Sequence, residues 1–307
     1  MSAATLANLI IKIVIMMALG FALRKGRVFD DAFQVKLSWM LVNVIMPAKI
    51  LAVGNSPYNA SQAGNLLLTG IISVAYYVLA NLLMQLVSRP LPIEQANKGQ
   101  FVNLAAYSNN SFIGFPIIAQ IYGAEGSLYN VINTMVQNLF CYTLGIKTLV
   151  GKGGGIKSVL RNPVSWISLG SILLFISPLR LPIAIVDTAN LIGDMSAPFS
   201  MFIIGASLAT LKPSTLLTSG SAWLINLFRM VVFPLGTGFI LWAVGLRGVM
   251  PATCVVLLGL PPATVNVVFA EQFGKDIPFA TRAAVQGTAL MVITLPLLTL
   301  FTQALFF

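Results

Sequence analysis

Two stretches of the chain place groups that can bind a polar solute inside otherwise apolar runs. They are YSNNSFIGFPII at 107–118 and LLGLPPATVNVVFAEQFG at 257–274. In the first, Pro116 has no N–H, its ring clashes with the carbonyl of Phe112, and Gly114 weakens the same turn. A helix must break there. Backbone groups freed in lipid are costly unless something satisfies them. Asn109, Asn110 and Ser111 can bond the loosened backbone or bind a polar solute. The second stretch repeats the device, with Gly259, Pro261 and Pro262 as breakers and Asn266 as the amide. Helices that restart after such breaks carry partial positive charge at their N-termini, which suits an anion.

Ionisable residues inside apolar runs are functional suspects by default. Asp187, Asn190 and Asp194 fall at i, i+3 and i+7, on one helix face. Asp194 can carry a proton, help hold a cation or bond a neighbouring helix; Asp187 is placed in the headgroup zone. Lys49 is either a counterion for substrate or a side chain that snorkels to water. Arg229 lies about eight residues into its run, where it pairs with Asp194 or attracts an anion. Lys12 is a weaker candidate, and Glu271 is interfacial.

The elements that position these residues are membrane helices. Of 307 residues, 57% are hydrophobic and 8% charged, against about 25% charged in soluble chains. Apolar runs of the length needed to cross a bilayer recur. We read ten spans, at about 4–23, 37–53, 64–87, 100–122, 127–149, 163–179, 186–210, 221–245, 250–273 and 278–304. The first has its charges (Arg24, Lys25, Arg27) after the apolar run, the reverse of a cleaved signal peptide, and is read as a retained span. Short loops separate the spans, and GKGGG at 151–155 reads as a flexible linker; it lacks the spacing of a phosphate loop. Assigning loops alternately to two sides puts twelve Lys/Arg on one side and only Arg180 and Arg247 on the other. The basic side is cytoplasmic, so both termini are expected outside the cell membrane.

The net charge of +10 is explained by those loops, with no interleaved basic and aromatic patch for nucleic acid. Cys141 and Cys254 sit in apolar runs, and there is no histidine. Histidine-based triads, HExxH zinc sites and His-ligated haem are therefore excluded, and no metal or cofactor is called for. Aspartyl intramembrane proteolysis would need a second deep Asp, which is missing. An enzyme is not expected.

Internal repetition organises the spans. Pro47 and Pro198 are 151 residues apart (198 − 47), as are AQIYG at 119 and AEQFG at 270 (270 − 119). The expected fold is all-α and polytopic, with ten transmembrane helices as two inverted five-helix repeats. These are residues 1–150 and 163–307, joined by a cytoplasmic linker at 151–162, and helices four and nine are broken. Two interrupted helices in corresponding positions of inverted halves point to a midplane binding site.

LPPATVNVVFAEQFG at 260–274 followed by IPFATRAAVQGTALMVITLPL at 277–297 resembles the C-terminal part of the auxin efflux carrier family. NNSFIGFPIIAQIYG at 109–123 is similar to that family's N-x-x-x-x-G-x-P segment, and MPAKILAVGNSPY at 46–58 resembles its second span. The resemblance covers most of the chain. Without the long central loop of the plant carriers, it points to a bacterial-type permease of small carboxylates such as malonate or malate. It implies that helices four and nine cross at their prolines and that the crossing holds substrate. Asn109 and Pro261 with its neighbours would touch substrate there. Asn43 stands where the plant carriers have a lysine, a departure that weakens any lysine-based charge relay.

The candidate substrate contacts are therefore Asn43, Asn109, Asn110, Ser111, Pro116, Pro261, Pro262 and Asn266, with Asp194, Lys49 and Arg229 as charge candidates. The expected function is secondary active transport, export or import, of a small organic anion by alternating access. A proton, sodium or the membrane potential alone would drive it. The lipid bilayer is the surroundings, and a homodimer is left open. The alternative is a transport-inactive membrane sensor that binds a small ligand with the same fold. Saturable flux of a labelled solute separates the two.

Overall fold

A computed structural model describes residues 3–55, 60–151, 163–210 and 219–307. The linker at 151–162 and the NSPY turn at 55–58 fall mostly, and the LKPS loop at 211–214 wholly, outside the described residues.

The described residues are nearly all helical. The elements are α1 (Ala3–Lys25), α2 (Asp31–Met40), α3 (Met46–Gly54), α4 (Ala60–Ser88), α5 (Gln95–Ala106), α6 (Phe115–Phe140) and α7 (Ile146–Val150). Beyond the linker come α8 (Pro163–Ile176), α9 (Ile183–Asp194), α10 (Ser196–Ala209), α11 (Gly220–Leu227), α12 (Phe233–Ala243), α13 (Val249–Leu258), α14 (Val265–Gln272) and α15 (Ile277–Phe306). Among the described residues, five stretches are long and apolar enough to cross a membrane: Asp31–Gly54, Gly64–Ser88, Ile183–Ala209, Gly220–Ala243 and Ile277–Phe306. Large apolar side chains face outward along them, among them Leu79, Ile240 and Ile293, each more than 60% exposed. Amides such as Asn81, Asn103, Asn226 and Gln137 are buried instead. A protein in water does the reverse; in lipid, polar groups turn inward to find partners.

Proline sets the irregularities. Wide π-type turns at Leu41–Ile45, Asn110–Gly114 and Phe228–Val232 each end two residues before a proline, Pro47, Pro116 and Pro234. The missing N–H and the ring's clash with the carbonyl four residues back are absorbed by widening the preceding turn. A further π-turn at Cys141–Gly145 has no proline behind it.

The chain packs as two compact units, each taking segments from both halves. The first comprises Met1–Thr69, Ser111–Met135 and Asn162–Leu211. Glycines let its helices meet backbone to backbone. A Cβ on Gly205 would sit 1.9 Å from the Met17 carbonyl oxygen, and one on Gly20 would sit 2.4 Å from that of Phe202, so α1 and α10 touch through these positions. Gly54 meets Ser171, whose hydroxyl donates to the Ile50 carbonyl at 2.8 Å, joining α3 to α8. Asp30 caps α2 through the Phe33 N–H, and Arg24 pairs with Asp31 beside it.

The second unit comprises Gly70–Asn110, Val136–Arg161 and Lys212–Phe307. Its core gathers Tyr76, Tyr77, Phe101, Tyr107, Leu258 and Phe269. Gly287 lets α15 approach Asn226 and Pro262. Asp276 caps α15 through the Phe279 N–H and is held by Asn97 and Gln100 of α5.

Candidate functional site

The helix does not break at Gly114 and Pro116, where the π-turn runs straight into α6; the chain leaves the helix earlier, at 107–109. The second interruption lies at Gly259–Pro262, where it was expected, and the second unit joins the two non-helical pieces. α5 stops at Ala106 and Tyr107 turns extended (φ −109°, ψ 120°). α13 stops at Leu258, and the chain runs through Leu260, Pro261 and Pro262 before α14. The two non-helical pieces lie antiparallel, with Ser108 opposite Pro262. The Asn109 N–H donates to the Pro261 carbonyl at 2.9 Å, and the Ala263 N–H donates to the Tyr107 carbonyl at 2.9 Å. Backbone orphaned by one break is thus satisfied by backbone orphaned by the other. Pro261 and Pro262 need no donor in this arrangement; they supply the carbonyl and the rigid extended shape.

An amide cluster supports the first break. The Gln137 Nε2 donates to the Ser108 carbonyl at 2.8 Å, and its Oε1 accepts from Tyr77 at 2.8 Å and from Asn110 at 2.9 Å. Ser108 donates to the Asn110 Oδ1 at 2.7 Å. Asn110 is fully buried and both ends of its amide are engaged inside the protein.

Arg229 is the largest fully buried side chain. Its Nη1 donates to the Tyr76 hydroxyl at 2.7 Å and to the carbonyls of Ala106 at 2.7 Å and Ala105 at 3.2 Å. Its Nε donates to the Leu260 carbonyl at 3.2 Å. Ala105 and Ala106 close α5, and Leu260 follows the end of α13. These are helix C-termini, where carbonyls lack intrahelical donors and the macrodipole is negative. One guanidinium therefore clasps both broken helices from their negative ends. Its fork of donors on a planar group is what allows it to reach several carbonyls at once.

Pairing of Arg229 with Asp194 is corrected by the structure. Asp194 bonds Lys49 instead, with Nζ 2.7 Å from Oδ1, joining α9 to α3. Among the described residues no carboxylate pairs with Arg229, and its Nη2 has no partner.

The remaining candidates divide. Asn109 (5% exposed) and Asn266 (4%) are buried in the second unit. The Asn266 Nδ2 reaches the Asn103 carbonyl only at 3.5 Å, and its Oδ1 has no partner. Asn103 and Asn226 also leave their Oδ1 atoms unpartnered while their amide nitrogens bond carbonyls. Ser111 lies in the π-turn, and Pro116 is the second residue of α6. Asn43 is exposed, and its amide donates back to the Trp39 carbonyl at 2.9 Å, so its hydrogen bonding is local to its own helix. Asp187, Lys12 and Glu271 are exposed.

Sequence reasoning missed Tyr76, Tyr77, Asn103, Gln137 and Asn226. Their signal was available as polar side chains inside apolar runs, but many other buried polar residues share it.

The membrane transport protein family matches residues 5–159 and 155–299. An uncharacterized transporter of Methanothermobacter thermautotrophicus is 23% identical over 295 residues, covering 94% of this chain and 95% of the relative. An uncharacterized transporter of Methanocaldococcus jannaschii is 20% identical over 284 residues, 88% and 90% of the two chains. Auxin efflux carrier component 1 of Arabidopsis thaliana is 28% identical over 150 residues, 47% of this chain and 24% of the relative. With apolar helices, buried amides and a family match that runs along nearly all of its length, the chain belongs to the membrane transport protein family that includes the auxin efflux carriers, and it is a transporter of the bacterial and archaeal type, not an enzyme.

Proposed function

We propose that this transporter is a secondary carrier of a small organic anion, a carboxylate, working by alternating access around the joined breaks. The observation that carries the reading is a buried guanidinium without a carboxylate partner, set beside amides that are only partly satisfied. A fixed positive charge in a low-dielectric interior favours an anion over a neutral or cationic solute. Asn266 holds its internal acceptor only at 3.5 Å, so its N–H is readily transferred to a substrate oxygen. Asn109, held by its backbone against Pro261, would supply the second amide.

In this reading the ten helical intervals form two inverted five-helix repeats in the cell membrane, with both termini outside. A proton, sodium or the membrane potential supplies the drive.

The test is uptake of labelled malonate, malate and an indole carboxylate into proteoliposomes, with and without imposed proton and sodium gradients. Saturable flux of one acid is expected, and the gradient that accelerates it names the coupling ion. Asn109→Ala and Asn266→Ala should each lower that flux while the purified protein keeps its unfolding temperature. Normal flux in both variants would remove the breaks as the substrate site.

A further inference from the structure

The first unit contains a cavity of about 430 Å³ between α3, α6 and α9. That is within the size range of small-molecule sites. Its polar lining is Lys49, Asn55, Ser127 and Asn190, and among the described residues no carboxylate lines it. It shares no residue with the polar cluster at the joined breaks.

The cation in its wall is held by an asymmetric partner. The Lys49 side chain is 16% exposed, whereas that of Asp194 is 69% exposed. An ion pair with one well-solvated member contributes little, because that member loses little by turning to water. An ammonium has three donors, so Lys49 can take a new acceptor while Asp194 remains or as it leaves. The lysine itself cannot easily withdraw. A Cβ at Gly193 would lie 2.8 Å from the Lys49 Cα and 2.9 Å from its Cδ, so α9 presses along the stem and holds the amine at the wall. Two amides, Asn55 and Asn190, also stand on the cavity wall. The Asn55 Oδ1 accepts from the Leu181 N–H at 2.9 Å, which turns the NH₂ end of that amide toward other acceptors. Asn190 stands on the α9 wall, four residues before Asp194. α6 also restarts here, after Gly123 (φ 63°), adding the partial positive charge of a helix N-terminus to a site already defined by the cavity and its cation.

We propose that this cavity is a binding site for a small carboxylate, in which Lys49 exchanges its exposed partner Asp194 for the ligand. It goes beyond the transport reading and does not depend on it.

The test uses the full chain with a single reporter, Ala124→Cys, on the cavity wall. Ala124 is exposed, whereas the native Cys141 and Cys254 are buried. The rate of labelling by a polar maleimide is measured against rising malonate, with malonamide as the uncharged control. Malonate should slow labelling and malonamide should not. Lys49→Gln should raise the malonate concentration for half-protection about tenfold or more, the worth of one charged hydrogen bond. Lys49→Arg should keep protection, which guards against misfolding as the cause. Asp194→Asn, by freeing the amine, should lower that concentration about threefold. In the Asn266→Ala background protection should persist even where transport is lost, which separates this site from the one at the breaks. Labelling that malonate leaves unchanged, equal protection by malonamide, or protection that survives Lys49→Gln would overturn the proposal.

Discussion

Replacing Arg229 by methionine should release the two broken helices from each other. The guanidinium makes four hydrogen bonds, to Tyr76 and to the carbonyls of Ala105, Ala106 and Leu260. Hydrogen bonds to a charged group contribute about 1.5–3 kcal/mol each. Against that stands the desolvation of a fully buried cation with no carboxylate, which costs several kcal/mol. Methionine removes the cost but leaves the carbonyls without donors, in a site where water is scarce. The balance for removing one partner from a buried charged network is about 3–5 kcal/mol of destabilisation. At about 2–4 °C per kcal/mol for a chain of comparable size, that lowers the unfolding temperature by roughly 6–20 °C. Arg229→Lys keeps the charge but not the fork, so it should fall between. Both are measured by thermal unfolding of the purified protein in detergent, alongside malonate uptake. Methionine that leaves the unfolding temperature unchanged would refute the clasp. Lysine that destabilises as much as methionine would show that geometry matters and charge does not.

Other outcomes follow from the same contacts. Gly205→Ala should destabilise the first unit, because its Cβ would sit 1.9 Å from the Met17 carbonyl oxygen and α1 must shift to admit it; overpacking costs about 1–3 kcal/mol, read as a fall in unfolding temperature. Gln137→Leu should strip Tyr77, Ser108 and Asn110 of a shared partner. Each orphaned buried group costs about 1–3 kcal/mol, and hydrogen exchange of amides at 107–110 should quicken, where an unchanged rate would contradict the network.

Local chemistry was legible along the chain. The Pro261–Pro262 pair marked the second break because proline removes a donor and clashes whatever surrounds it. Pro116 instead produced a π-turn, and the first break lies seven to nine residues before it, at 107–109. The amides beside them were visible as polar residues where lipid offers no partner. Their division of labour was not. Asn109, Asn110 and Asn266 read alike in sequence, yet Asn110 is engaged by Ser108 and Gln137 while Asn266 keeps an unpartnered oxygen. The choice depends on Gln137, one helix away, and no local pattern marks it. Asn43, a position carried over from a family motif, is exposed and donates to the Trp39 carbonyl four residues back.

By itself, the sequence determined that this is a helical membrane protein and that two of its helices are irregular near their prolines. Both follow from quantities that run along one dimension, the length of apolar runs and the backbone limits of proline and glycine. The tertiary structure alone decided what meets at those places. Arg229 and Tyr76 are 153 residues apart and Lys49 and Asp194 are 145 apart. Charge sign made an Arg229–Asp194 pair plausible, but a hydrogen bond forms only within about 3 Å. Packing delivered Asp194 to Lys49, and it brought the carbonyl ends of two broken helices to Arg229.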